Sequence, residues 1–222
     1  MATSTASQGH AFAWLNATQF LGALNDNVFK MLVIFLLAGA GGGREQTGVI
    51  AVVQALFVLP FLVFSSASGC LADLFSKHSI IRWSKVGELV LMLLALVVLP
   101  SGSAGAFYLL LFSMCTQSAV FGPAKYGIMP EIVEPGGLSR ANGMLVGATY
   151  LAIIIGTFLP SGLDLVLPEG TVRAWLAWLC VALGLVGVFC SLGVSGTKPM
   201  GQRQPLKAWF PTNVIAILRY VS

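Results

Sequence analysis

The sequence predicts an all-α membrane protein of six transmembrane helices, on three observations. Of its 222 residues, 57% are apolar and 9% charged, against roughly 25% charged in an ordinary soluble domain. Apolar runs long enough to cross a bilayer, which takes about 20 residues of helix, cover residues 12–38, 48–67, 79–99, 105–122, 141–160 and 173–194. Basic residues sort to alternate connections. Lys77, Arg82 and Lys85 follow the second run, Lys125 and Arg140 the fourth, and Lys198, Arg203, Lys207 and Arg219 the sixth, while only Arg44 and Arg173 lie in the other connections. Nine against two places both termini in the cytoplasm by the positive-inside rule. The net charge of +4 is thus a topology signal, which leaves no case for nucleic-acid binding.

Helix one is the most informative element. Asn16, Gln19, Asp26, Asn27 and Lys30 interrupt an otherwise apolar run and fall within one arc of about 100° at 100° per residue, a single polar stripe. Ionisable residues at membrane depth are costly and face a bundle interior or a wet cavity, so such a stripe marks a substrate or ion path. Asp26 precedes Lys30 by four residues, the favoured order for an intrahelical ion pair. Two readings stay open: a substrate-facing wall, or a self-neutralised pair that only fixes packing. Asn25 points the opposite way and suits a packing hydrogen bond. No Lys or Arg precedes Lys30, and the run is too long for a signal-peptide core, so helix one is expected to remain in the protein.

Helix two is followed by GCLADLFSKHSIIRWSK, read as a loop. Helix three carries Glu88 nine residues past Ser79, about 13 Å along a helix axis, with Lys85 three residues before it. A pathway carboxylate and an ion pair at the inner end are both open readings. Helix four offers Gln117, either a pathway amide or a bridge between helices. The stretch FGPAKYGIMPEIVEPGGLSRANG is rich in Gly and Pro and is expected to end helix four and form a connector. In helix five, Gly143 and Gly147 make a small-xxx-small pair, followed by Gly156, Pro160 and Gly162, a pattern for close helix approach or bending. Helix six is plain apolar sequence. Cys70, Cys115, Cys180 and Cys190 lack metal-type spacing and read as small apolar fillers. Residues 1–195 form the transmembrane bundle. Residues 196–222 read as a cytoplasmic linker and an amphipathic segment too short to span, after which the chain looks truncated.

The loop segment GCLADLFSK resembles the G-x-L-a-D-x-x-x-[RK] signature of the major facilitator superfamily, and the resemblance implies a conformational latch of Gly69, Asp73, Lys77 and Arg82. Helix four lacks the Arg of many proton-coupled members, and helix five lacks the G-P-x-x-G order of drug antiporters, which points to a divergent branch. QFLGALNDNVFK, FGPAKYGIMPEIV, LSRANGML and AIIIGT resemble the lysophospholipid transporter family of bacterial inner membranes, including members fused to acyltransferase domains. That resemblance covers roughly residues 12–220 and is most specific at the Asp26-Asn27 pair and PAKYGI. It implies the N-terminal six-helix half of a facilitator fold, built of two inverted three-helix repeats.

The function it implies is flipping of lysophospholipids from the outer to the inner leaflet for reacylation. Substrate binding would fall to Asn16, Gln19, Asp26, Asn27, Lys30, Glu88 and Gln117. The expected partners are membrane lipids, a second six-helix half or second copy, and an acyltransferase, with no cofactor and no metal. The rival readings are a generic small-solute facilitator and a non-transporting scaffold for an acyltransferase. No nucleophile and base pair, phosphate loop or metal cluster is visible in the sequence, so an enzyme is not expected.

Overall fold

The computed structural model describes residues 2–38, 44–168 and 171–194. They form α1 (Ala2–Ala38), α2 (Arg44–Leu74), α3 (Lys77–Val98), α4 (Ala104–Ile132), α5 (Leu138–Val166) and α6 (Val172–Leu192). All six helices are long and apolar enough to cross a membrane. In hydrocarbon only a helix or a closed barrel satisfies every backbone N–H and C=O internally, and this dictates an all-helical solution. Connections are short. A 3-10 turn, Leu99–Ser101, ends at Gly102 with φ of 63°, a left-handed conformation that favours glycine. Ser103 then caps α4 by accepting from the Ala106 amide.

α1 is the central element: 61% of its most apolar window is buried, against 11% for α2. It packs on α5 and α6, while α4 packs on α2 and α3. Exchanging α1 for α4, α2 for α5 and α3 for α6 maps one set of contacts onto the other. This is the packing two three-helix repeats would produce, and an odd number of spans inverts the second repeat. Two apolar layers fill the bundle. One holds Phe29, Leu32, Met92, Leu111, Met114 and Leu176; the other holds Leu15, Ile81, Phe121, Ile128, Met129 and Leu145.

Several boundaries differ from the sequence reading. α2 runs on to Leu74, so Gly69 and Asp73 are helical and the expected loop shrinks to Phe75 and Ser76. α4 continues through Pro123 and Pro130 to Ile132, where the Gly and Pro residues were expected to end it. A proline forfeits one backbone hydrogen bond, and neighbouring helices make that tolerable in a packed membrane bundle. Lys85 and Lys125 lie buried inside α3 and α4, and Lys77, Arg82 and Arg140 are helical as well, so five of the nine basic residues read as connections belong to helices. The glycine expectation also shifts. A Cβ at Gly143 or Gly147 would meet nothing within 4 Å, whereas one at Gly156 would lie 2.8 Å from both Asn27 Cβ and the Leu24 carbonyl oxygen. Close approach of α5 to α1 thus depends on Gly156. The tail, 196–222, lies outside the described residues.

Candidate functional site

The polar side chains converge at mid-depth because each sits near the centre of its own span. Asp26 belongs to Gly9–Ala38, Glu88 to Lys77–Ser101, Gln117 and Ser118 to Ala104–Ile132, and Thr149 to Pro135–Val166. Between these helices lies a cavity of about 310 Å³, at the small end of the roughly 300–1,000 Å³ typical of ligand sites. α1 contributes Gln19, Asp26, Asn27 and Lys30; α3 and α4 contribute Lys85, Gln117, Ser118 and Lys125; α5 contributes Thr149. Phe57 and Phe61 of α2 and Phe121 of α4 form aromatic walls.

The stripe residues are held individually. Gln19 donates to the Thr149 hydroxyl at 2.9 Å, and Asn27 donates to the Ala23 carbonyl at 2.8 Å. Lys30 does not bridge to Asp26. Its ammonium donates to Asn27 Oδ1 at 2.9 Å and lies 4.6 Å from the centre of the Phe57 ring, where the negative face of the π-system shields the charge. Asp26 accepts from the Ser118 hydroxyl at 2.8 Å through Oδ2, and its buried Oδ1 has no hydrogen-bond partner. The i,i+4 ion pair, one of the two open readings, is not formed: Lys30 is held by Asn27 and Asp26 by Ser118.

Behind the cavity wall, Glu88 is paired on both oxygens. Lys85 donates to Oε2 at 2.5 Å and Asn25 to Oε1 at 2.7 Å. Of the two readings of Glu88, the ion pair is the one observed, and Asn25 makes the packing hydrogen bond expected of it. Gln117 does not bridge helices by hydrogen bond: its amide donates to the adjacent Ser118 hydroxyl at 3.3 Å, and its buried Oε1 is unpartnered. Asn16 lies outside the cavity lining, with a buried, unpartnered Oδ1.

The latch residues part company. Lys77 at the start of α3 pairs with Glu131 near the end of α4 at 2.6 Å. Arg82 donates to the Leu192 carbonyl at 3.1 Å and the Val194 carbonyl at 3.4 Å, tying α3 to the end of α6. Asp73 is exposed, and a Cβ at Gly69 would meet nothing within 4 Å.

Lys125 was missed as a cavity residue. Its ammonium lies 5.9 Å from the Phe121 ring centre and 4.8 Å from that of Tyr126. The available signal was its helical spacing from Gln117 and Ser118, eight and seven residues or about two turns away on the same face, had α4 been carried past Pro123. Thr149 was missed because a threonine in an apolar helix usually bonds its own backbone, as it does here to the Leu145 carbonyl at 2.8 Å. Among the described residues, no group of three or more His, Cys, Asp or Glu could hold a metal.

Fold and site together define a multi-pass α-helical membrane protein with a polar, charged cavity at the centre of the bundle. The chain is similar to bacterial proteins named lysophospholipid transporter LplT. It is 31% identical to that of Cronobacter sakazakii over 139 residues, 63% of this chain and 33% of the relative. It is 28% identical to that of Pectobacterium carotovorum over 163 residues, 73% and 36%, and 27% identical to that of Escherichia coli over 140 residues, 63% and 33%. The resemblance to the lysophospholipid transporter family is thereby shown, although the chain spans about a third of the length of the curated relatives it matches. No family model matches the chain, and no solved structure does.

Proposed function

We propose that the chain forms one six-helix half of a facilitator-type transporter that flips lysophospholipids from the outer to the inner leaflet of a bacterial cytoplasmic membrane, where an acyltransferase restores the second chain. The observation that supports this most is the mid-depth cavity with a half-satisfied carboxylate. A buried acceptor without a partner costs about 1–3 kcal/mol, and a ligand ammonium would remove that cost. Asp26 receives the amine of an ethanolamine head group, and Lys30 its phosphate, with Gln19, Asn27, Gln117 and Asn16 along the path. Because Lys30 and Asp26 are not paired with each other, both can engage one zwitterionic head group. Glu88 supports the site by fixing Lys85.

Transport proceeds by alternating access, with Asp73, Lys77 and Arg82 serving the latch at the cytoplasmic end. The opposite wall comes from a second six-helix half or a second copy. The apolar outer surface of α2 and α5, with Leu62, Val63, Tyr150, Ile154 and Phe158 exposed, is the face available to it. Residues 1–195 act as the bundle and 196–222 as the cytoplasmic connection.

Uptake of labelled lysophosphatidylethanolamine by cells that produce the chain with a complementary half tests the reading. Uptake that tracks expression and is not competed by sugars or drugs supports it. Undiminished uptake in cells carrying Asp26→Asn would remove its central residue. A reporter fused after Pro199 is expected to be cytoplasmic and one near Ser103 external.

A further inference from the structure

A second hollow, of about 470 Å³, lies on the lipid-facing side of the same region. Leu71 of α2, Phe75 of the connection to α3, Ile80 and Trp83 of α3, and Val120 of α4 give it apolar walls. Trp83 and Phe75 are strongly exposed, at 74% and 57%, so the groove opens toward the acyl region and not toward the bundle interior. Gln117 lines both this groove and the polar cavity. Its side chain lies along Gly87 of α3, where a Cβ would approach Gln117 Cγ at 4.0 Å and meet nothing closer. Its Oε1 is buried and accepts no hydrogen bond. One amide thus separates a polar, charged chamber from an apolar trough, and an unused acceptor sits at the boundary.

We infer that the groove holds the single acyl chain of a lysophospholipid, and that Gln117 reads the free glycerol hydroxyl that distinguishes it from a two-chain lipid. The inference rests on the lysophospholipid reading above and deepens it. In such a lipid the hydroxyl lies between head group and chain, and Gln117 occupies the same place between cavity and groove. A hydroxyl donates to Gln117 Oε1. An ester oxygen at that position has no hydrogen to donate, and a second acyl chain would have to share the one groove. A site that hydrogen-bonds a substrate hydroxyl disfavours the analogue lacking it, because the buried acceptor stays unpaired.

The test uses the full chain in lipid nanodiscs with Trp83 as its one tryptophan, through Trp14→Phe, Trp175→Phe, Trp178→Phe and Trp209→Phe. The probe is lysophosphatidylethanolamine with a brominated acyl chain, which quenches tryptophan on contact. Saturable quenching is expected, competed by unlabelled lysolipid, and roughly threefold to tenfold weaker for an analogue without the glycerol hydroxyl, the range of one neutral hydrogen bond. Gln117→Leu should bind the two lipids equally, a loss of discrimination that general destabilisation would not produce. Gly87→Leu should fill the groove and abolish quenching.

Quenching that merely follows bulk mole fraction, or equal binding of the two lipids before any change at Gln117, overturns the inference. Saturable lysolipid binding that Asp26→Asn weakens, without quenching of Trp83, overturns the groove and leaves the proposed function standing. No saturable binding of any lysolipid overturns both.

Discussion

Two carboxylates stand at the centre of their spans, in adjacent parts of the bundle, with opposite surroundings. Glu88 is 1% exposed and saturated by the Lys85 ammonium on one oxygen and the Asn25 amide on the other. Asp26 has Ser118 on one oxygen and nothing on the other. A buried carboxylate with each oxygen engaged by a protein donor is compensated without a ligand, and its removal strands its partner. A buried charge with a free oxygen retains that capacity. Burial and charge alike mark both residues, and only the hydrogen-bond inventory separates a structural acid from a candidate binding acid. The lysines divide the same way, Lys85 bound to Glu88 and Lys30 leaning on an amide and an aromatic face.

The contrast breaks most sharply on stability. Glu88→Gln leaves the Lys85 ammonium uncompensated at a site 2% exposed and should cost about 3–5 kcal/mol, read as a lowered unfolding midpoint in detergent. A paired replacement of Lys85 and Glu88 by leucine should recover most of that loss, since buried ion pairs and apolar isosteres are often equivalent. An unchanged midpoint for Glu88→Gln would mean that water reaches Lys85, and the distinction between the two acids would fail.

Asp26→Asn should do the reverse: little change in midpoint, since the amide still accepts from Ser118, with lysolipid transport reduced about 10- to 100-fold, the equivalent of a charged hydrogen bond of roughly 1.5–3 kcal/mol. Normal transport by the exchanged pair Asp26→Lys with Lys30→Asp would reduce both charges to a structural role.

Glycines offer a smaller, purely steric comparison. Gly156→Ala sets a methyl 2.8 Å from Asn27 Cβ and from the Leu24 carbonyl, and overpacking of this kind costs about 1–3 kcal/mol. Gly143→Ala and Gly147→Ala, with nothing within 4 Å, should leave the unfolding midpoint where it is. Equal effects at the three positions would contradict the α1–α5 contact described above. An effect of similar size is expected at the end of the bundle. Lys77→Ala removes the pair with Glu131, whose side chains are only 11% and 8% exposed, and leaves a largely buried carboxylate without its partner, so it should lower stability by about 1–3 kcal/mol.

Much of the bundle was legible because hydrophobic length is a local property: a run of about 20 apolar residues has few alternatives to a spanning helix. The stripe on α1 was legible for the same reason, since helical periodicity alone places Gln19, Asp26, Asn27 and Lys30 on one face. The end of α4 was not, because Pro123 and Gly122 read as terminators by local rules, and only packing against α2 and α3 carries the helix through them. With that boundary misplaced, Lys125 stayed in a loop. The glycine pair at 143 and 147 fits a packing motif, yet spacing does not say which face of α5 meets α1.

The sequence by itself determined six spans, the mid-span positions of Asp26 and Lys30 and the common face of the helix-one polar residues, all consequences of rise and rotation per residue. The tertiary structure decided which partner each charge takes. Lys30 turns to Asn27 and not to Asp26, Lys85 and Asn25 converge on Glu88, and Ser118 takes one oxygen of Asp26 while the other is left open. Two of those choices join residues far apart in the chain, Asn25 with Glu88 and Ser118 with Asp26, and the other two are made between neighbours three residues apart on one helix. Hydrogen-bond strength falls away within a few ångströms, so only the packed bundle resolves which polar groups are satisfied and which remain available.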